Sequence, residues 1–455
     1  MPTDHGDSFP SVSRDPYRAP RGWLVVVAGA LCLVASAPAR AQDASADRDR
    51  LHLALAAFDQ ACRKDAAGAW ETSLCGPVLL VDRSTRAVFA NQRDAAGALV
   101  RRGELWEGRL PDSVMVANSA IDWNGTRWAT IVLPLPADDF GALALIAHES
   151  FHRIQPSLGL VGADAASPHL DERDARLWLR LELRALAYAL TTGGEASRAH
   201  ARTAMRFRAE RRRLYPGSGA PEDALERLEG SAEYTGARFA VDAGEMGMLR
   251  VVRAMDTVER NPTLVRSFAY ATGPALGLLL DRWAPGWQRR VAAGAAMAPL
   301  LAESLGVRVT AVSPVELARP YGYAAIAGAE DEREAVRREA LAGFRKRLID
   351  GALLVLPADG MNRSFDPNTL QPLDSLGTVY PTGRFTAPWG TLDVTKGGAL
   401  LSADYRTLRL PAPTDRGAVG STVRGDGWTL ALAEGWEVRA IAGGRAGDVE
   451  VARRR

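Results

Sequence analysis

The feature that most constrains this chain is an apolar run from Gly141 to Ile154 that carries His148, Glu149 and His152, with no glycine or proline after its first residue. Such a run predicts a helix, and on a helix residues four apart share one face. His148 and His152 then aim two imidazole nitrogens at one point, with Glu149 beside it. Those residue types at that spacing can supply two ligands of a zinc ion (Zn2+) and the general base that works with it. The competing reading is a pair of core histidines on an amphipathic helix. With only six histidines in the chain, a chance match in this register is rare, and the metal reading is preferred.

At 455 residues the chain is too long for one compact domain, and its 47% hydrophobic content is enough to bury real cores. A formal net charge of +2 with 24% charged residues makes no demand for nucleic acid or an acidic partner. Arg-rich runs such as Arg211-Arg212-Arg213 and Arg453-Arg454-Arg455 read as solvated faces.

At the start, a polar lead ending in the basic residues Arg18 and Arg21 precedes an apolar stretch from Trp23 to Ala37. Ala39-Arg40-Ala41 then offers a small-x-small cleavage pattern before Gln42. This predicts an export signal over residues 1–41, with an uncleaved anchor as the alternative. No later segment is long and apolar enough to cross a bilayer. The expectation is a periplasmic or secreted protein with no stable membrane span after signal cleavage. Cys62 and Cys75 could close a short loop in an oxidising compartment or remain two buried thiols, while Cys32 lies in the leader.

Along the chain, the periodicity of Leu51, Leu53, Leu55, Ala56 and Phe58 predicts a helix from Asp43 to Ala67. Pro77 to Val81 and Arg86 to Ala90 predict a hairpin around Asp82-Arg83-Ser84-Thr85. Val114 to Asn118 and Thr126 to Leu135 predict two more strands linked through a turn at Asn124-Gly125. Pro134 and Pro136 cannot donate to a ladder, so the last strand ends at an edge or an exit. Asp138-Asp139 cap the histidine helix. Two long helices meeting at Gly193-Gly194 predict a helical hairpin from near Asp171 to Tyr215. Pro221 opens the next helix, which contains Glu229-Gly230-Ser231-Ala232-Glu233-Tyr234. Helices follow at Met246 to Val258, Tyr270 to Ala284, Pro314 to Ala318 and Glu330 to Ile349. From Ala352 onward short β-prone runs recur, at Leu353 to Leu356, Thr391 to Val394, Thr407 to Leu410, Trp428 to Leu432 and Glu437 to Ile441. The expected class is α+β: the leader over 1–41, a β-rich subdomain over 42–136, a mostly helical core over 137–350 and a small β domain over 351–455.

A catalytic zinc takes three protein ligands and keeps an open position for water. His169 and His200 qualify by type, but one lies in a loop and the other on an Arg-rich helix. Glu182, inside an apolar helix, is a stronger rival because a buried carboxylate needs a partner. Glu229 is the best candidate because of a resemblance. The His148-Glu149-Ser150-Phe151-His152 motif followed by Glu229-Gly230-Ser231-Ala232 resembles the gluzincin metallopeptidases. In their aminopeptidase N-like and glycyl aminopeptidase-like families a Glu-Gly-x-Ala segment supplies the third ligand. Tyr270-Ala271-Thr272-Gly273 is similar to the Tyr-x-x-Gly of aminopeptidase N relatives, whose tyrosine stabilises the tetrahedral intermediate.

The resemblance covers roughly residues 126–285. It implies a zincin-like core in which His148, His152 and Glu229 bind zinc, Glu149 is the general base and Tyr270 the oxyanion donor. Two departures accompany it. His152 and Glu229 lie farther apart than is usual, which the helical hairpin explains as an insertion that could stand out as a lid or substrate wall. No Gly-x-Met-Glu-Asn segment precedes the histidines, so recognition of a free amino terminus is not implied. Glu233, one turn beyond Glu229, could orient a ligand imidazole. By analogy with the family, the strand Arg127 to Leu135 is an unpaired edge for an extended peptide. The expected function is an exported zinc metallopeptidase with a peptide or protein substrate. The alternative is a periplasmic binding or scaffold protein whose zinc site is structural or vestigial; a scaffold would tolerate Glu149→Gln.

Overall fold

The computed structural model describes residues 38–65, 68–160, 167–241, 246–307, 313–366, 369–415 and 422–454. The expected signal segment lies outside these residues except for 38–41. Helix α1 (Pro38–Lys64) leads into strands β1 (Val78–Val81), β2 (Ala87–Ala90), β3 (Val100–Arg102), β4 (Leu105–Arg109), β5 (Ser119–Trp123) and β6 (Thr126–Val132). They form one sheet in the order β3-β4-β2-β1-β6-β5, with β1 and β6 parallel and the other pairs antiparallel.

Asn124 and Gly125 sit at φ of 49° and 71°, the left-handed pair that a two-residue hairpin turn requires. The turn sets the register, pairing Trp123 with Thr126 and Ser119 with Thr130. The strand before it is therefore 119–123, and the expected strand at Val114 to Asn118 is loop. Arg86 holds that loop by donating to the carbonyls of Leu110, Pro111 and Val114. A second expectation also fails. β6 is flanked by β1 and β5, so it is no unpaired edge; the outer strand on that side is β5. The prolines do mark the exit, since β6 ends at Val132 and Pro134 and Pro136 lie in the link to the next helix.

That helix is α2 (Asp139–Ile154), capped by Asp138, whose carboxylate accepts from the Gly141 N–H at 3.1 Å. The helical hairpin follows as α3 (Arg173–Thr191) and α4 (Gly194–Leu214). A continuous helical segment comes next: α5 (Gly219–Leu225), one π-helical turn at Glu226–Gly230, and α6 (Ser231–Val241). Then come α7 (Gly247–Glu259), α8 (Phe268–Trp283), α9 (Trp287–Ala292), α10 (Met297–Ser304), α11 (Pro314–Ala318) and α12 (Tyr323–Arg345). No described helix is long and apolar enough to cross a membrane.

One hydrophobic core runs from Leu51, Leu55 and Phe58 of α1 through the inner face of the sheet to α2, α3, α6 and α8. At its centre Trp70 lies 4.8 Å from Phe151 and 5.6 Å from Trp287 between ring centroids, and donates its indole N–H to Thr235 at 2.9 Å. Cys62 and Cys75 form a disulfide that ties α1 to the loop carrying Trp70. Arg153 near the end of α2 donates to the carbonyls of Leu74 and Cys75 in that same loop.

The hairpin corrects two readings. It does not stand out as a lid or wall: Leu177, Leu179, Leu181, Leu183 and Leu186 of α3 are buried in the main core. The Arg211-Arg212-Arg213 run is not a solvated face either. Arg213 is exposed, but Arg211 is completely buried between Glu182 at 2.5 Å and Glu222 at 2.9 Å.

Beyond α12 the chain is β-rich, in a seven-stranded and a five-stranded sheet. Every run expected there is a strand, and Leu354, Leu356, Phe385, Trp389, Leu408 and Leu430 pack in a hydrophobic cluster of their own.

Candidate metal centre

Two close backbone contacts seat the site on three helices. Gly236 of α6 faces α2 so tightly that a Cβ there would stand 2.4 Å from the Ala144 carbonyl oxygen. Gly273 of α8 meets the π-helical turn, and its Cβ would stand 2.3 Å from the Gly230 Cα. Only residues without a side chain permit such approaches. They bring Glu229 and Glu233 against the histidine face of α2, and Tyr270 against Glu229.

His148 Nε2, His152 Nε2 and a Glu229 carboxylate oxygen converge within 4.8 Å of one another. The two Nε2 atoms are 3.0 Å apart, and Glu229 Oε2 is 3.7 Å from the first and 3.5 Å from the second. Atoms bound to zinc at 2.0–2.1 Å stand about 3.3 Å apart at tetrahedral angles. The three donors thus lie close to three corners of that tetrahedron, and their chemistry suits zinc.

Each candidate ligand is held from behind. His148 Nδ1 is 2.8 Å from Glu233 Oε2, and His152 Nδ1 is 2.8 Å from Gln155 Oε1. Acceptors on both Nδ1 atoms hold a proton there and turn each Nε2 toward the site. Gln155 also donates to the Leu228 carbonyl at 2.8 Å, tying α2 to the turn that carries Glu229. Tyr270 Oη donates to Glu229 Oε2 at 2.8 Å, and its ring is parallel to His148 at 5.9 Å. Arg266 Nη2 stands 3.9 Å from Glu229 Oε1.

Electrostatics separate the carboxylates. Burial works against ionisation of Glu229, but the His152 contact and the Tyr270 hydrogen bond outweigh it and hold Glu229 below its usual range. It is therefore ionised, as a ligand must be. Burial pushes Glu149 up, against the pull of His148 and His152. Its Oε2 is buried without a hydrogen-bond partner, which marks a group poised for something that enters the site. Burial alone would lower His148, yet Glu233, Glu149 and Glu229 push it up to about 9. Burial and the Glu229 charge raise Tyr270 far above the ordinary phenol value, keeping its proton in place as a donor.

The structure thus brings together all five of His148, Glu149, His152, Glu229 and Tyr270, with Glu233 behind His148. It removes the rivals. Glu182 is bound by Arg208 at 2.7 Å and Arg211 at 2.5 Å, so the partner its burial demanded is a pair of guanidinium groups. His169 pairs with Glu222 at 2.9 Å, and His200 Nδ1 meets the Tyr321 hydroxyl at 2.7 Å. Tyr270 differs from expectation in one respect, since its hydroxyl is bound to the Glu229 carboxylate. Gln155 was missed; its place three residues after His152, on the same helix face, was the available signal.

No protein-family model, no curated protein and no solved structure matches this chain.

Proposed function

We propose that this chain is an exported zinc-dependent metallopeptidase. The observation that carries the reading is the convergence of His148, His152 and Glu229 near tetrahedral spacing beside a buried, unpartnered oxygen of Glu149. Zinc held by the three ligands would polarise the scissile carbonyl and acidify the attacking water. Glu149 takes that water's proton, for which its raised pKa suits it, and passes it to the leaving amine. Tyr270 keeps its proton and donates a hydrogen bond to the oxyanion after exchanging its partner Glu229 for substrate. The Cys62–Cys75 disulfide supports export, because such bonds persist in oxidising compartments. The unpartnered Glu149 oxygen favours catalysis over a structural site, which would leave no position open and have no use for that carboxylate.

The test is to purify the chain, measure bound metal and assay hydrolysis of a mixed peptide pool. Stoichiometric zinc and cleavage are expected, with Glu149→Gln keeping the zinc and losing about 10²- to 10⁴-fold in rate. Absence of zinc, or a Glu149→Gln variant as active as the parent, would overturn the reading.

A further inference from the structure

Glu226 is the first residue of the π-helical turn that ends at Gly230, and its side chain joins three elements inside the protein. Arg208 of α4 lays its guanidinium across both carboxylate oxygens, Nη1 to Oε2 at 2.7 Å and Nη2 to Oε1 at 2.6 Å. Thr272 of α8 donates to the same Oε1 at 2.5 Å. Arg208 is anchored in turn by Glu182 of α3, which accepts from its Nε at 2.7 Å. Arg208, Glu226, Thr272 and Glu182 are all buried.

The backbone of the turn depends on the same residue. The Glu226 carbonyl accepts the Ser231 N–H, a bond across five residues. Such turns are rare and persist where surrounding groups hold them. Gripping the side chain of its first residue from α4 and α8 sets the rotation of the turn, and three residues later Glu229 faces His148 and His152. Buried ion pairs are poor stabilisers compared with apolar packing, so stability alone does not account for charges here; a directional hold on the turn does.

We infer that Arg208, Glu226 and Thr272 form a clamp that positions the third metal ligand, holding the π-helical turn so that Glu229 completes the site. The inference rests on the zinc reading above. None of the three touches metal or substrate; they are positioning residues that act through Glu229.

The test is zinc affinity of the purified full chain, read by competition with a chromophoric chelator, alongside the melting temperature of each metal-free variant. Glu226→Gln keeps the shape and loses the charge; it is expected to weaken zinc binding about 10-fold or more, in the range typical of groups behind a metal ligand. Thr272→Val, which removes one hydrogen bond and little else, is expected to weaken it by a smaller factor in the same range. Glu259→Gln is the control: it removes a buried charge that Arg180 and Arg184 hold outside the clamp, lowering the melting temperature while leaving zinc affinity near that of the parent. Parental affinity in folded Glu226→Gln and Thr272→Val overturns the clamp, as does a loss in Glu259→Gln that tracks its loss of stability. If Glu226→Gln does not fold, Thr272→Val decides on the same criterion. A parent that binds no zinc, or binds it equally after His148→Ala, overturns the metal reading itself and the clamp with it.

Discussion

Gly230 and Gly273 lie backbone against backbone, so that a Cβ on Gly273 would come within 2.5 Å of the Gly230 carbonyl oxygen as well as 2.3 Å of its Cα. Each glycine belongs to a short motif whose other member lies in the candidate site: Glu229 precedes Gly230, and Tyr270 stands three residues before Gly273. The contact is what places the Tyr270 hydroxyl 2.8 Å from the Glu229 carboxylate. Two motifs distant in sequence are thereby one structural unit.

Gly273→Ala should show this directly. The added methyl meets backbone, which cannot rotate away, so α8 and the π-helical turn must separate. An overpacking loss of about 1–3 kcal/mol is expected in denaturant unfolding, together with weaker zinc binding because Glu229 moves with the turn. Ala at 273 with parental zinc affinity would mean that the contact is packing alone.

Tyr270→Phe removes a hydroxyl and keeps the ring beside His148. If the hydroxyl reaches the oxyanion, kcat should fall about 10²- to 10³-fold with KM little changed. A variant with parental kcat and reduced zinc affinity would restrict Tyr270 to holding Glu229. Steady-state kinetics at saturating zinc distinguish the two.

Glu233 and Gln155 set the tautomers of His148 and His152 from behind. Glu233→Ala and Gln155→Ala should each weaken zinc binding about 10- to 100-fold. Both side chains lie beyond the ligands, so zinc-saturated variants should recover most of their activity. Isothermal titration of the metal-free proteins reads the affinity, and unchanged affinity in both would leave the ligand imidazoles self-sufficient.

How far the sequence reaches depends on the range of the interaction being read. The His148–His152 pair and the late strands follow from periodicities within one element and were legible, as was the hairpin of α3 and α4 from two long helices meeting at Gly193-Gly194; Glu229 was singled out by the resemblance of Glu229-Gly230-Ser231-Ala232 to a family motif. β5 was misplaced by a few residues because its register is dictated by the turn after it rather than by its own β-prone neighbours. The edge position of β6 was misjudged because pairing order in a sheet is a long-range property: β1 lies parallel to it and β5 covers its other side. The π-helical turn has no composition of its own. Arg211 looked like surface because arginine runs usually are; only the fold reveals that Glu182 and Glu222, from α3 and α5, converge on it.

The same buried network makes stability depend on pH in a direction that can be stated. Burial opposes ionisation of Glu222, but Arg211, the hydrogen bond from His169 and Arg208 together hold its pKa far below the usual carboxylate range. In the unfolded chain a glutamate titrates near pH 4.3, about its ordinary value. A depressed folded pKa means that the ionised carboxylate contributes stability in full above the unfolded pKa, and that this contribution shrinks as pH falls below it. Glu222→Gln should therefore destabilise strongly at pH 7, by about 3–5 kcal/mol, since Arg211 is left buried with one partner fewer. Below about pH 4.3 the gap between parent and variant should narrow by up to about 1.4 kcal/mol per pH unit. Parallel denaturant unfolding of the two proteins from pH 7 to pH 3 measures that gap. A gap that stays constant across the range would show that the Glu222 charge is not what Arg211 and His169 are gathered around.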